Sequence, residues 1–511
     1  MDYPDILREV QQALPRGVQV WLVGGAIRDA LLGHTAHDLD FAVAGRALDV
    51  ARAAANALSG AFYPLDAERD VGRVVVRRED AQGAEPRMST AEPWVLDFAR
   101  LRGGTLEADL AARDFTFNAI AAPLAEPEAL IDPLHGEADL RARRLRLCSP
   151  TAIADDPLRG VRAVRLAARL KLHIDPAARA AIRDQAEGLA DVSAERRRDE
   201  FVRLTGGPRA AAALRALDQL GLLEHLAPEL LPLKGLAQPP DKHALDVWEH
   251  TLTTMDRLEE LLGVLAPVHD QERAADLMLG LASLKLGRYR QALNDHLDWR
   301  LDGDRPSRWT LALAALLHDI GKPATQSADA AGVIHFYMHE NVGAKLAAQR
   351  LNELRFSNEE IRRATTIIAH HMRPMHMAHA AAPVPAPASL VSRRAVYRFF
   401  RDVGAAGVDI ALVSLADFWA HFGGNPPPAE LWEHRLSISA QLLGAYFESH
   451  AEMVAPPPLL TGRDLIETLG LKPGPQLGEL LEAAREAQAA GEVKDQAEAL
   501  EFVKQRLHGT P

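Results

Sequence analysis

Asp38 and Asp40 stand either side of a single leucine in the run HDLDFAVA. Alternate residues of a strand point to one face, so this pair aims two carboxylates at one spot. Carboxylates held that close repel each other unless a cation lies between them, and hard oxygen donors suit Mg²⁺. Two such ions would lower the pKa of an attacking hydroxyl and neutralise a departing pyrophosphate. Upstream, Gly24 and Gly25 close the apolar run QVWLV and open a helix-like stretch. Glycines there let backbone N–H groups approach a triphosphate at the positive end of a helix. Arg28, one turn further, adds a charged fork for the same phosphates. The order strand, Gly-Gly, Arg, Asp pair, strand is that of a site for polyphosphate chemistry.

These residues need a sheet to hold them. Residues 19–24, 39–44, 71–78 and 94–99 read as strands, with a polar turn at 81–93. From about residue 140 the pattern is helical to the end, broken by Pro/Gly-rich stretches at 230–241, 377–389, 423–428 and 452–458, and the 377–389 run reads as a solvated loop. The fold class is therefore α+β, a small mixed sheet followed by helices only. The chain of 511 residues is long enough for several domains, and 48% hydrophobic content supports large cores. The expected divisions are 1–140, 141–235, 236–440 and 441–511. Cys148 is the sole cysteine, which excludes an intrachain disulfide and fits a reducing, cytoplasmic setting. No apolar run approaches membrane-spanning length, so no membrane partner is expected. The net charge of −12 argues against indiscriminate nucleic-acid binding, although the stretch from Arg141 to Arg203 carries more basic than acidic residues.

The head segment LVGGAIRDALLGHTAHDLDFAV resembles the nucleotidyltransferases that include bacterial CCA-adding enzymes and poly(A) polymerases, a branch of the DNA polymerase beta superfamily. The resemblance implies that Gly24, Gly25 and Arg28 hold the nucleotide, that Asp38 and Asp40 bind Mg²⁺, and that Asp97 in VLDFARLRGG supplies a third carboxylate. The segment LEADLAARDFTFNAIA resembles the family's RRDFTINA motif and places Arg113 near the nucleotide, with Ala112 where a basic residue is usual. ADDPLRGVRAVRLAARL resembles the family helix that reads the incoming base, with Asp155 in place of the usual Glu. The chemistry of that reading follows from donor inventories. Cytosine and adenine each show an amino donor beside a bare ring nitrogen, an ionised Asp only accepts, and an Arg only donates. Asp156 and Arg159 therefore match C and A and leave polar groups unpaired against U and G. Arg162 and Arg165, further along the helix, are placed to reach the phosphates or to stack near the base.

The third region holds His250, His318-Asp319, His339, His370-His371 and Asp417. Imidazoles and carboxylates of this kind suit a divalent transition metal. The set resembles the HD superfamily of metal-dependent phosphohydrolases. That resemblance implies one metal on His250, His318, Asp319 and Asp417, with His339 and His370 or His371 available for a second. The ending, from PPLLTGRDLIETLG on, resembles the nucleotidyltransferase family's RNA-contacting tail. Taken together, the resemblances imply an enzyme that adds CMP and AMP from CTP and ATP to the 3′ end of tRNA, with no DNA partner. An A-adding enzyme or poly(A) polymerase of the same family is the alternative, and an HD phosphohydrolase with an inactive head is the alternative from another class.

Overall fold

The computed structural model describes residues 5–15, 17–77, 93–239, 244–269, 272–303, 305–380 and 390–509. Most of the turn expected at 81–93 and most of the loop expected at 377–389 lie outside them. Residues 377–380, expected as part of that loop, instead close a helix, Arg373–Ala380. Two compact units form, Met1–Val192 with Gln219–His225, and Ser193–Asp218 with Leu226–Pro511.

In the first unit six strands build the head: β1 (Gln19–Val23), β2 (Asp38–Ala44), β3 (Ala61–Asp66), β4 (Val71–Val76), β5 (Trp94–Arg100) and β6 (Ala121–Pro123). Their order in the sheet is β3-β4-β5-β2-β1-β6. β2 and β5 pair in parallel, and every other pairing is antiparallel. Period-two alternation sorts β2 into a buried face with Leu39, Phe41 and Val43 and an open face with Asp38 and Asp40. Phe41 stacks on Phe98 of β5 at 4.7 Å between centroids, inside a core that takes in Ile6, Val10, Val50 and Ala54. Those last four come from α1 (Asp5–Ala13) and α3 (Ala47–Ala57), so two helices cover the apolar face and leave the acidic face clear. Asp70, in the β3–β4 turn, accepts from the Ala47 and Leu48 N–H groups and so caps α3.

Two shorter helices serve the acidic face, α2 (Gly25–Leu31) and α4 (Leu106–Ala111). The neck helix, Leu158–Leu170, buries Leu158, Val161, Val164 and Leu166 and leaves Arg159, Arg162 and Arg165 half-buried along another side. Gly160 has room for no side chain beyond a Cβ, which would meet Ile182 at 3.2 Å and Leu222 at 3.5 Å.

The second unit is built around helices Val247–Val264, Ser307–Leu317, His339–Glu353, Asn358–His370 and Ala406–Ala420. Ala406–Ala420 is buried at all 15 residues, Asp409, Ser414 and Asp417 among them. Among the described residues no single helix is long and apolar enough to cross a membrane. At the end of the chain Thr461 and Asp464 form a capping box for Gly462–Leu469, and helices Pro475–Ala490 and Gln496–Leu507 share a small core of Leu465, Leu480, Ala484 and Val503. Arg394 and Arg398 pair with Glu486, and the Tyr397 hydroxyl donates to Glu482, which fixes this end to the helix Arg393–Val403.

Candidate active site and metal cluster

The parallel register sets Asp40 directly beside Asp97, and the antiparallel register sets Arg73 beside Asp97 on the other side. Arg73 Nε and Nη2 donate to Asp97 Oδ1 and Oδ2, each at 2.8 Å. Asp40 is reached by solvent but crowded by protein. Desolvation pushes its pKa up to about 6, Arg113 opposes that, and the Asp97 and Asp38 carboxylates add to it.

Gly24 follows β1 with φ 79° and ψ −136°. A Cβ there would lie 3.2 Å from Asp40 Oδ2 and 3.3 Å from Arg113 Nη1, so glycine is what permits the close approach. Arg113 is aimed by Asp109, whose Oδ2 accepts from Nε at 3.0 Å and Nη2 at 2.9 Å. That leaves Nη1 turned toward Asp40. Gly24, Asp40, Asp97 and Arg113 thus come together, with Asp38 on the same face.

Arg28 differs from the open phosphate fork expected. It is 6% exposed, its Nε and Nη2 grip Asp29 at 2.8 and 2.9 Å, and Nη1 donates to Asn118 Oδ1 at 2.8 Å. The guanidinium is walled in beneath the turn, 3.3 Å from where a Gly25 Cβ would stand. From Asn118 the chain of bonds runs on. Asn118 donates to Asp114 Oδ1 at 3.1 Å, and Arg162 reaches Asp114 Oδ2 at 3.3 Å. Arg159 donates to the carbonyls of Ala112 at 2.9 Å, Ala152 at 3.2 Å and Arg113 at 3.3 Å. Asp156 stays half-buried just before the neck helix, accepting from the Leu158 N–H at 3.3 Å. Arg165 lies half-buried one turn beyond Arg162. Sequence reading passed over Arg73, Asp109, Asp114 and Asn118. The i,i+4 spacing of Asp109 with Arg113 and of Asp114 with Asn118 was a usable signal, as was one arginine inside the apolar strand VGRVVV.

In the second unit five helices bring six residues together. His250 Nε2 lies 2.9 Å from Asp417 Oδ1, His318 Nε2 lies 3.2 Å from Asp319 Oδ2, and His339 Nε2 lies 3.3 Å from Asp319 Oδ1. His371 joins Asp319 and His339 in one group and His318 and Asp417 in another. All six are buried. The Nδ1 atoms of His318, His339 and His371 each lie 2.7–2.9 Å from the carbonyl three residues earlier. Donation there fixes the tautomer and turns a bare Nε2 inward, the usual support of a metal-ligating imidazole. His318 Nε2, His339 Nε2 and Asp319 Oδ1 are buried with no hydrogen-bond partner. Such atoms are costly unless something fills the gap, and a divalent cation does so. Burial favours a neutral His318, yet the Asp319 and Asp417 carboxylates push its pKa up to about 10. Burial pushes His371 down to about 3.

His370 is the exception among the expected ligands. It is half-buried and belongs to none of the ligand groups, because adjacent helical positions diverge by about 100° and His371 takes the inward one. Two residues were missed. Lys322 donates to Asp319 Oδ2 and Gln238 Oε1, each at 2.7 Å, and His421 groups with His250 and Asp417.

The chain matches the poly A polymerase head domain family over residues 20–146, the HD domain family over 241–399 and the tRNA nucleotidyltransferase domain 2 family over 447–503. The A-adding tRNA nucleotidyltransferase of Deinococcus radiodurans is 36% identical over 96% of this chain and 96% of its own. The chain belongs to the tRNA nucleotidyltransferase family. The CC-adding tRNA nucleotidyltransferase of Geobacter sulfurreducens is 32% identical over 97% of this chain and 94% of its own. A solved CCA-adding enzyme in its apo form shares the fold of this nucleotidyltransferase, with a TM-score of 0.57, 17% identity, and coverage of 98% and 92%.

Proposed function

We propose that this nucleotidyltransferase adds CMP and AMP from CTP and ATP to the 3′ end of tRNA without a nucleic-acid template, releasing pyrophosphate. The observation that carries the reading is that Asp40 and Arg113 converge beside Gly24 on the acidic face of the sheet, so closely that a Cβ there would meet both. Asp38 and Asp40 would hold Mg²⁺; desolvation is the main cause of the raised Asp40 pKa, and the Asp97 and Asp38 carboxylates that add to it are negative charge such an ion relieves. Held there, Mg²⁺ would supply activation of the attacking 3′-hydroxyl and neutralisation of the leaving group. Gly24 leaves room for the triphosphate, Arg113 supplies charge to it, and Asp97 is held beside the pair by Arg73. Asp156 and Arg159 read the pairing edge of the base, with Arg162 and Arg165 beyond them on the same helix. Phosphoryl transfer of this kind needs positioning and charge neutralisation more than covalent help. Asp38→Ala and Asp40→Ala should each abolish nucleotide addition while tRNA binding survives. Retained addition in either variant would sink the mechanism.

A second reading, addition of A alone, is favoured by the full-length match to an A-adding relative. Purified protein given tRNA that ends before CCA, after one C, or after two, with CTP and ATP singly and together, decides between them. Extension of the CC-ended tRNA only, and only with ATP, establishes the A-adding reading.

The histidine and aspartate cluster would bind a divalent transition metal and support phosphate-ester hydrolysis. Its buried, unpartnered Nε2 atoms favour this, and Lys322 would hold one Asp319 oxygen aside. Metal content of the purified chain and hydrolysis of a 2′,3′-cyclic nucleotide, each with His371→Ala alongside, test it. A tRNA substrate and a lone cysteine fit a cytoplasmic setting.

A further inference from the structure

We propose that Arg435, on the helix Ala429–Phe447, holds the phosphate of the ester hydrolysed at the histidine and aspartate cluster. This assignment rests on the phosphohydrolase reading of that cluster and concerns its substrate, an anionic phosphate ester.

Arg435 is a half-buried cation short of a counter-charge. Its Nη1 donates to the Met375 carbonyl at 3.1 Å, and its Cζ lies 4.8 Å from the centre of the Phe418 ring. Among the described residues no carboxylate pairs with it, and its Nε and Nη2 make no hydrogen bond. Burial lowers its pKa, and the Asp417 charge acts against that. Asp417 forms no ion pair with it, since Asp417 Oδ1 lies 2.9 Å from His250 Nε2 and 3.5 Å from His421 Nε2. Two cations that flank the cluster are engaged already: Lys322 Nζ lies 2.7 Å from Asp319 Oδ2, and Arg373 Nη1 lies 2.9 Å from Asp402 Oδ2. A guanidinium drawn out of water without a partner is unfavourable, and an anionic ligand offsets that cost.

Position agrees with charge. Phe418 follows Asp417 directly, and Met375 lies four residues beyond His371, so both contacts of Arg435 are on segments that carry a cluster residue. The Phe418 ring stands edge-on to His421 at 6.3 Å between centroids. The His421 side chain is 16% exposed, while those of His250, His318 and His339 are 9% or less, so Arg435 shares Phe418 with the histidine nearest solvent. A guanidinium presents a planar fork of donors that fits two phosphate oxygens. Opening a 2′,3′-cyclic phosphodiester adds water to phosphorus and breaks one P–O bond. The freed oxygen takes a proton, and the phosphate passes from one negative charge toward two. A fixed cation beside it stabilises that increase.

Arg435→Met and Arg435→Lys in the full chain test this. Three quantities are measured on each: hydrolysis of 2′,3′-cyclic AMP, binding of inorganic phosphate by titration calorimetry, and metal content. Arg435→Met should raise KM for the cyclic nucleotide and Kd for phosphate by about ten- to a hundredfold. Its metal content and its nucleotide addition to tRNA should stay at the parent's level. Arg435→Lys, which keeps the charge and loses the fork, should fall between. Unchanged KM and phosphate binding in Arg435→Met would overturn the anchor and leave the phosphohydrolase reading intact. Loss of metal from both variants would make Arg435 a structural brace and overturn it as well. A parent that binds metal yet hydrolyses no cyclic nucleotide would fell the phosphohydrolase reading, and the anchor with it.

Discussion

Arg73 on β4 clasps both oxygens of Asp97 at 2.8 Å, while Asp97 lies beside Asp40 in the parallel register of β5 and β2. A carboxylate whose two oxygens are taken by one guanidinium is a weaker candidate for direct metal ligation than its neighbour. Asp97→Asn should therefore keep about 1–10% of single-turnover nucleotide addition, whereas Asp40→Ala should lose more than about a thousandfold. Equal loss in the two variants would make Asp97 a direct ligand and the clasp a resting arrangement.

Gly24 combines positive φ with a position where a Cβ would crowd both Asp40 and Arg113. Gly24→Ala should cost about 1–3 kcal/mol in backbone strain. It should also reduce kcat/KM for the nucleotide at least about a hundredfold, since a methyl group would displace the charges that meet there. Thermal melting and steady-state incorporation measure the two effects; a full-rate, stable Gly24→Ala protein would refute the assignment.

Arg159, proposed above to read the base, bonds three carbonyls. Arg159→Ala should raise misincorporation of UMP relative to AMP by about tenfold or more, consistent with the loss of a discriminating polar contact. Competition between radiolabelled nucleotides at equal concentration reads this directly. Unaltered exclusion of UTP would show that Arg159 is a strut only.

Asp409 is buried against Arg363 and His296. Burial alone would raise its pKa, but the Arg363 charge and the His296 contact hold it below the ordinary 3.8. A carboxyl lowered on folding contributes stability that is complete above its unfolded pKa, near 3.9, and is lost as pH falls through the lower folded value. Asp409→Asn leaves Arg363 without its counter-charge and should cost about 3 kcal/mol at pH 7. The gap in denaturant midpoint should hold from pH 7 to 5 and narrow below pH 4. A gap independent of pH would exclude the linkage.

Much of the head was legible because its signals are local. The Gly24-Gly25 turn and the Asp38-Leu39-Asp40 alternation each occupy a few residues, and β1, β2, β4 and β5 fall within about two residues of the expected runs. β3 was not legible, since AFYPLD carries a proline, and its Tyr63 and Leu65 are half exposed at a sheet edge. The pairing of Asp97 with Asp40 depends on a parallel crossover that no short spacing encodes. The burial of Arg28 depends on Asn118, 90 residues away. His370 and His371 differ only in helical phase, which adjacency in sequence leaves open. His421 fits no expected ligand pattern, although its distance from Asp417 could have marked it.

The carbonyls of Ala112 and Arg113 receive the guanidinium of Arg159, so the segment that carries Arg113 is seated on the residue proposed to read the base. A base that pulls Arg159 out of line disturbs that seat. On that reading, selection would be exercised on turnover more than on affinity: an incorrect nucleotide would be admitted almost as readily as a correct one and still fail to react.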